Sequence, residues 1–148
     1  MESAKGSGNI TTYVERKSRY LIADKLSNKT AVKTAKVVTG TFLRMPTKLR
    51  HTLTLDNGKA FARFQDIEKK IGLKIYFADP YSAWQRGMNE KTNGLLRRYF
   101  PKGMDFRNVN EKVLAEAVKK LNHRPRTCLG YRTLHKVFMQ AKCGVVAI

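Results

Sequence analysis

Thr52-Leu53-Thr54-Leu55-Asp56-Asn57-Gly58 is the stretch on which the reading of this chain turns. Polar and apolar residues alternate over four positions, the period of a half-buried strand, and the pattern then stops at Asp-Asn-Gly. Asn and Gly tolerate positive φ and Asp caps turns, so the tripeptide ends the strand and leaves a carboxylate at its carboxyl end. Working outward, Phe61, Phe64, Ile67 and Ile71 mark one face of a helix, with Gly72 as its C-terminal stop. Leu73 to Ala78 reads as another short strand, closed by Asp79-Pro80. Strand, helix and strand in this order predict a parallel pair.

Upstream, Ile10–Val14 and Tyr20–Leu26 are β-rich runs joined by Glu15–Arg19, an expected antiparallel hairpin. Thr30 opens a helical stretch carrying Val32, Ala35, Val38, Phe42 and Leu43, stopped by Met45-Pro46. Downstream, a loop through Tyr81–Gly87 leads to a helix over roughly Asn89–Tyr99. A second follows around Asn110–Leu121, and a last short one near Leu134–Ala141. This succession predicts an α/β fold, a mixed sheet flanked by helices, with ligands just beyond the carboxyl ends of strands. No repeat or flexible linker divides residues 1–148, so a single domain is expected. Met1–Asn9 is rich in Gly and Ser, with no strand in front of the hairpin, and the opening strand of the sheet reads as incomplete.

The chain has 148 residues, with 30 Lys and Arg against 11 Asp and Glu, for a net charge of +19. The basic residues interleave with apolar ones, as in Tyr13-Val14-Glu15-Arg16-Lys17-Ser18-Arg19-Tyr20, rather than forming a low-complexity tail. A hydrophobic fraction of 42% is too high for a disordered segment. No apolar run approaches a membrane span, and the longest is Val145–Ile148 with its neighbours. The first residues lack the regions of a signal peptide. Cys128 and Cys143 have no metal-ligand spacing and read as reduced thiols. The expectation is an intracellular, folded basic domain with a polyanionic partner, nucleic acid above all.

Acidic residues are scarce, which gives weight to their placement. Asp56 alone is accounted for by turn chemistry, and Glu90 alone by the helix dipole that favours a carboxylate in a first turn. Taken together, one ends a strand, the other begins a helix able to pack across the end of the sheet, and 33 residues separate them.

With its flanks, this spacing resembles the catalytic region of DDE transposases and integrases, and specifically the family of insertion sequence thirty. The resemblance is carried by Tyr13-Val14-Glu15-Arg16-Lys17-Ser18-Arg19, Thr54-Leu55-Asp56-Asn57-Gly58 and Tyr76-Phe77-Ala78-Asp79-Pro80-Tyr81. It continues through the run from Arg86-Gly87-Met88-Asn89-Glu90 to Tyr99-Phe100-Pro101-Lys102-Gly103. Leu121-Asn122-His123-Arg124-Pro125-Arg126 and Leu129-Gly130-Tyr131-Arg132-Thr133 complete it, so that it covers nearly the whole chain.

The resemblance implies a ribonuclease H-like (integrase core) fold and metal-dependent DNA strand cleavage and strand transfer. It implies Mg²⁺ or Mn²⁺ in a two-metal site, with Asp56 as the second catalytic aspartate and Glu90 as the final glutamate. Such displacement at phosphorus uses two hard cations about 3.5–4 Å apart, held by carboxylate oxygens. The family's first aspartate has no match: Glu15 and Asp24 fall on other strands and Glu2 lies beyond the expected position. Two carboxylates of three lead us to expect weak metal binding and no catalysis by this polypeptide alone. The helix-turn-helix region that such transposases carry at the N-terminus is also unmatched, so sequence-specific recognition of DNA is expected to be weak.

Asn93, Gly94 and Arg97 share the helical face of Glu90. With Arg86, Lys91 and Arg98, Asn93 and Arg97 are the expected DNA contacts, although a solvated basic face accounts for Arg97 and Arg98 equally simply. Tyr81 and Trp84 either stack on an unpaired base or pack against the end of the sheet. His51, His123 and His135 share no spacing and are read as non-catalytic. A homodimer is left open, no membrane partner is expected, and a cytoplasmic, nucleoid-associated location in a bacterium follows from the resemblance. The competing reading is a non-catalytic basic DNA-binding remnant of a transposase.

Overall fold

The computed structural model of the chain describes residues 1, 8–28, 30–56, 58–79, 87–140 and 145–147. Its strands are β1 (Asn9–Glu15), β2 (Leu21–Leu26), β3 (Thr52–Leu55), β4 (Lys74–Phe77) and β5 (Val145–Ala147). Its α-helices are α1 (Ala31–Leu43), α2 (Phe64–Ile71), α3 (Gly87–Leu96), α4 (Glu111–Asn122) and α5 (Leu134–Gln140).

The strands form one mixed sheet in the order β2-β1-β5-β3-β4. β1 and β2 pair antiparallel, with Val14 opposite Leu21, as the hairpin pattern predicts. Their turn is held by the Glu15 carboxylate, which accepts from the backbone N–H of Lys17 at 3.0 Å and of Ser18 at 2.5 Å. β3 and β4 pair parallel, with Leu55 opposite Phe77, and Ala78 N–H extends the ladder to Leu55 O at 2.8 Å. The helix joining them, α2, stops at Gly72, whose φ of 68° is a conformation that favours glycine.

Helices cover both faces. Tyr13, Leu53, Leu55 and Ile75 from the sheet meet Val38 and Phe42 of α1 and Ile67 and Ile71 of α2 in one buried cluster. Ile10, Val14 and Leu21 meet Leu96 of α3, Leu114, Ala117 and Leu121 of α4, and Phe100 and Phe106 in the other. The period of two sends Tyr13 to the first layer and Thr12 and Val14 to the second. β1 is therefore buried on both sides.

β5 is the element that the sequence pattern leaves out. An incomplete opening strand is expected to leave an edge beside the strand of Asp56. Instead, Val145–Ala147 lies between β3, to which it runs parallel, and β1, to which it runs antiparallel. Farther along that same edge of β1, Met1 and Ile10 exchange main-chain hydrogen bonds of 2.6 and 3.0 Å. Ile10 and Val14 are four residues apart, so their peptide groups face the same neighbour. The centre of the sheet is thus filled from two sides by segments distant in sequence.

Candidate active site

Asp56 is the first residue after β3, partly buried, at the carboxyl end of a strand whose two leucines anchor it in the core. Its Oδ1 accepts from the Gly58 N–H at 3.2 Å, the Asx turn that the Asp-Asn-Gly pattern predicts. A Cβ at position 58 would stand 2.8 Å from Asp56 Oδ1, so a side chain there would displace the carboxylate. Since β1 runs antiparallel to β5 and β5 parallel to β3, the N-terminal half of β1 reaches the same end of the sheet. Asp56 opens there into a cavity of about 380 Å³ shared with Thr12 of β1 and with Asn89 and Asn93 of α3.

α3 is locked to β1 across this cavity. The Thr12 hydroxyl stands 2.7 Å from Asn93 Oδ1 and 3.3 Å from Asn89 Oδ1. Thr12 and Asn89 are 3% and 4% exposed, so this polar contact lies inside the protein, where an unpaired amide is costly. The brace fixes the rotation of α3, and Glu90, next to Asn89 in its first turn, is exposed as a result. Lys59 and Phe61 complete the rim on the Asp56 side.

The other expected contacts are distributed differently. Asn93 lines the cavity while holding Thr12, and Gly94 is exposed, with open space where a Cβ would lie. The Arg97 guanidinium lies 5.8 Å from the centre of the Phe106 ring, and Arg98 is exposed. Lys91 faces a different pocket, on the neighbouring flank of α3. Tyr81, Trp84 and Arg86 lie outside the described residues, as do Glu2 and Cys143. His123 and His135, unrelated in sequence spacing, stack with ring centres 4.8 Å apart, beyond the cavity lining.

Among the described residues no group of three His, Cys, Asp or Glu side chains is placed to hold a metal ion. Glu15 lies at the opposite end of β1, with its carboxylate on the hairpin turn, and Asp24 accepts from Thr41 at 2.6 Å on β2. Neither joins Asp56, as their strand positions imply. Thr12 and Asn89 were not identified from sequence, because a threonine in a strand and an asparagine in a helix carry no signal until the two elements cross.

No family model matches the chain. It is 45% identical over 133 residues to the transposase for insertion sequence element IS4351 of Bacteroides fragilis, covering 90% of this chain and 40% of that protein. It is 42% identical over 131 residues to the transposase InsI for insertion sequence element IS30A of Escherichia coli K12, covering 88% of this chain and 34% of that one. The chain therefore spans well under half the length of these relatives. The catalytic core domain of BIV integrase superposes with a TM-score of 0.72 at 21% identity, over 95% of this chain and 90% of that one, a likeness of fold.

The sheet, its flanking helices and an aspartate at the end of β3 make up a ribonuclease H-like fold resembling an integrase catalytic core. The chain is related in sequence to a part of the transposases of insertion sequences, and it shares its fold with a retroviral integrase core.

Proposed function

We propose that the chain is the catalytic core of a transposase, acting on DNA in metal-dependent strand cleavage and strand transfer. The observation that carries this is the cavity at the carboxyl end of β3, with Asp56 on one wall and Asn89 and Asn93 of α3 on the other; Glu90, the residue after Asn89, is exposed and outside the lining. The donors suit a hard divalent cation, since carboxylate and amide oxygens are what Mg²⁺ and Mn²⁺ take, with neither imidazole nor thiolate in the lining. Asp56 and Glu90 are the residues that would hold it. When bound, such an ion offsets the negative charge that builds on the phosphoryl oxygens during in-line displacement.

The chain's own residues supply positioning. The Gly58 amide orients the Asp56 carboxylate, and the Thr12 brace sets the rotation of the helix that carries Glu90. Lys59 at the rim, with Lys91, Asn93, Arg97, Arg98 and Arg86, supplies DNA contacts, and the +19 charge holds the backbone with little sequence preference. No helix among the described residues is long and apolar enough to cross a membrane. DNA is the partner that fits this charge, within the bacterial nucleoid, and pairing of two copies is compatible with it.

With two carboxylates in place of three, the chain by itself holds metal weakly and does not cut. DNA affinity against salt and nicking of supercoiled plasmid test the reading together. Binding whose log–log salt slope corresponds to several phosphate contacts, without nicking, is expected. Mn²⁺-dependent nicking that disappears in Asp56→Ala overturns the inactivity but supports the site, whereas absent or salt-insensitive binding overturns the DNA reading. The absence of a three-residue metal cluster among the described residues favours a second reading, a non-catalytic DNA-binding remnant. DNA binding with no metal affinity dependent on Asp56 or Glu90 selects that one.

A further inference from the structure

A second pocket, of about 230 Å³, lies between the β1–β2 turn, α3, α4 and the segment after α4. Its floor is apolar, with Leu21, Leu121 and Leu134, and its rim is cationic, with Arg19, Lys91 and Arg126. The ion pairs formed by arginines among the described residues, Arg63–Asp66 and Arg107–Asp105, lie elsewhere. Burial lowers the Arg126 pKa and the neighbouring Arg124 charge lowers it further, Cys128 opposes this, and Arg19 adds the smallest decrease. No carboxylate is among the described residues that line the pocket.

The backbone holds the rim cations in place. Arg19 and Tyr131, with φ of 62° and 60°, are the non-glycine residues of the described chain with positive φ, and both lie in loops that form this rim. A side chain in that region is strained and persists where its surroundings hold it. Arg19 N–H bonds to Glu15 O at 2.8 Å, closing the hairpin turn. Arg126 donates to Arg132 O at 3.1 Å and accepts from Tyr131 N–H at 2.9 Å and Leu129 N–H at 3.0 Å, while Pro125 and Thr133 form a bridge. Two loops distant in sequence are thus fixed so that Arg19 and Arg126 line one pocket with Lys91.

We propose that this pocket is a DNA-backbone seat, separate from the cavity of Asp56, in which Arg19, Lys91 and Arg126 receive a phosphate of a strand crossing α3 and the leucine floor receives its deoxyribose. Inorganic phosphate would use the rim alone, whereas a sugar–phosphate unit uses both parts. The seat rests on the DNA reading above and extends it to a surface that the catalytic cavity does not include.

Cys128, exposed and part of the pocket lining, provides a footprint. Its alkylation by N-ethylmaleimide is followed by peptide-resolved mass spectrometry, with and without saturating duplex DNA, alongside DNA affinity against salt. Several-fold slower alkylation in the complex is expected, for the wild type and for Asp56→Ala alike. Arg126→Gln is expected to lose most of this protection and to reduce the salt slope by about one contact. Arg126→Lys retains much of both, and Arg63→Gln changes neither. DNA bound with Cys128 alkylated as fast as in the free protein overturns the seat and leaves the DNA reading standing. Failure of the wild type to bind DNA overturns both. Protection by inorganic phosphate at matched ionic strength equal to that by DNA makes this a small-anion site and overturns the strand assignment. Should Arg126→Gln unfold, the wild-type footprint and Arg126→Lys decide.

Discussion

Replacing Thr12 by Val tests how the site is assembled. The two side chains have the same shape, so the substitution removes a hydroxyl and little else. The lost hydrogen bond to Asn93 Oδ1, 2.7 Å long, is worth about 1 kcal/mol net. Asn89, 4% exposed, loses a neighbour at 3.3 Å inside the protein, where an under-satisfied amide costs about 1–3 kcal/mol. Asn93 is partly exposed and recovers a partner from water, while the added methyl returns about 0.8 kcal/mol of apolar burial. The balance is a destabilisation of about 1–3 kcal/mol, or a Tm lower by roughly 3–10 °C for a chain of this size. Thermal melts of Thr12→Val, Asn93→Ala and the double variant should give a coupling energy of about 0.5 kcal/mol or more, as expected for side chains in contact. Thr12→Ser, which keeps the hydroxyl, should keep the coupling. Thr12→Val as stable as the wild type, with coupling below about 0.3 kcal/mol, refutes the brace.

Other perturbations follow from the same geometry. Asn122, 2% exposed, accepts from Leu21 N–H at 2.9 Å and donates to Leu21 O at 2.7 Å, covering the open edge of β2 as a strand would; urea unfolding of Asn122→Ala should show a loss of about 2–4 kcal/mol, and less than 1 would remove the amide's edge-covering role. Burial raises the Asp24 pKa above its ordinary 3.8, more than the Thr41 hydrogen bond and Arg44 lower it, with Glu111 adding a small increase. The folded state therefore holds this proton more tightly than the unfolded chain, so stability falls as pH rises from 3.8 through the raised value. Asp24→Asn should melt higher than the wild type at neutral pH, with the advantage vanishing in acid, and an unchanged difference across that range would contradict the shift. Val146→Pro removes an N–H from a central strand, and circular dichroism melts should show a loss of about 2 kcal/mol or more; an unaffected melt would mean that β5 is not part of the working sheet.

What the sequence discloses follows the range of the interactions. β3 ends at Asp56 because turn chemistry acts over three residues, and α2 ends at Gly72 for a reason equally local. β1 is legible as a β-rich run, though not its burial on both faces, and the placement of Asp56 beyond the sheet follows from the parallel β3–β4 pair. β5 is a different matter. Val145–Ala147 is too short to show a period, and its position between β1 and β3 depends on partners some 90 and 130 residues away in the chain. Thr12 and Asn89 belong with β5, since each is unremarkable on its own element and acquires a role where α3 crosses β1. Arg19 and Arg126 were likewise legible as charge but not as neighbours, because the loops that bring them together are held by main-chain bonds and positive φ.

The account rests on Asp56 and Glu90 sharing one metal site at the end of the sheet. Crystals of the protein soaked in Mn²⁺ test this most directly, through the anomalous signal of the ion. The account predicts a weakly occupied peak between the Asp56 and Glu90 carboxylates, lost in crystals of Asp56→Ala. A peak held by other side chains, or carboxylates too far apart to share an ion in the soaked crystal, would contradict it.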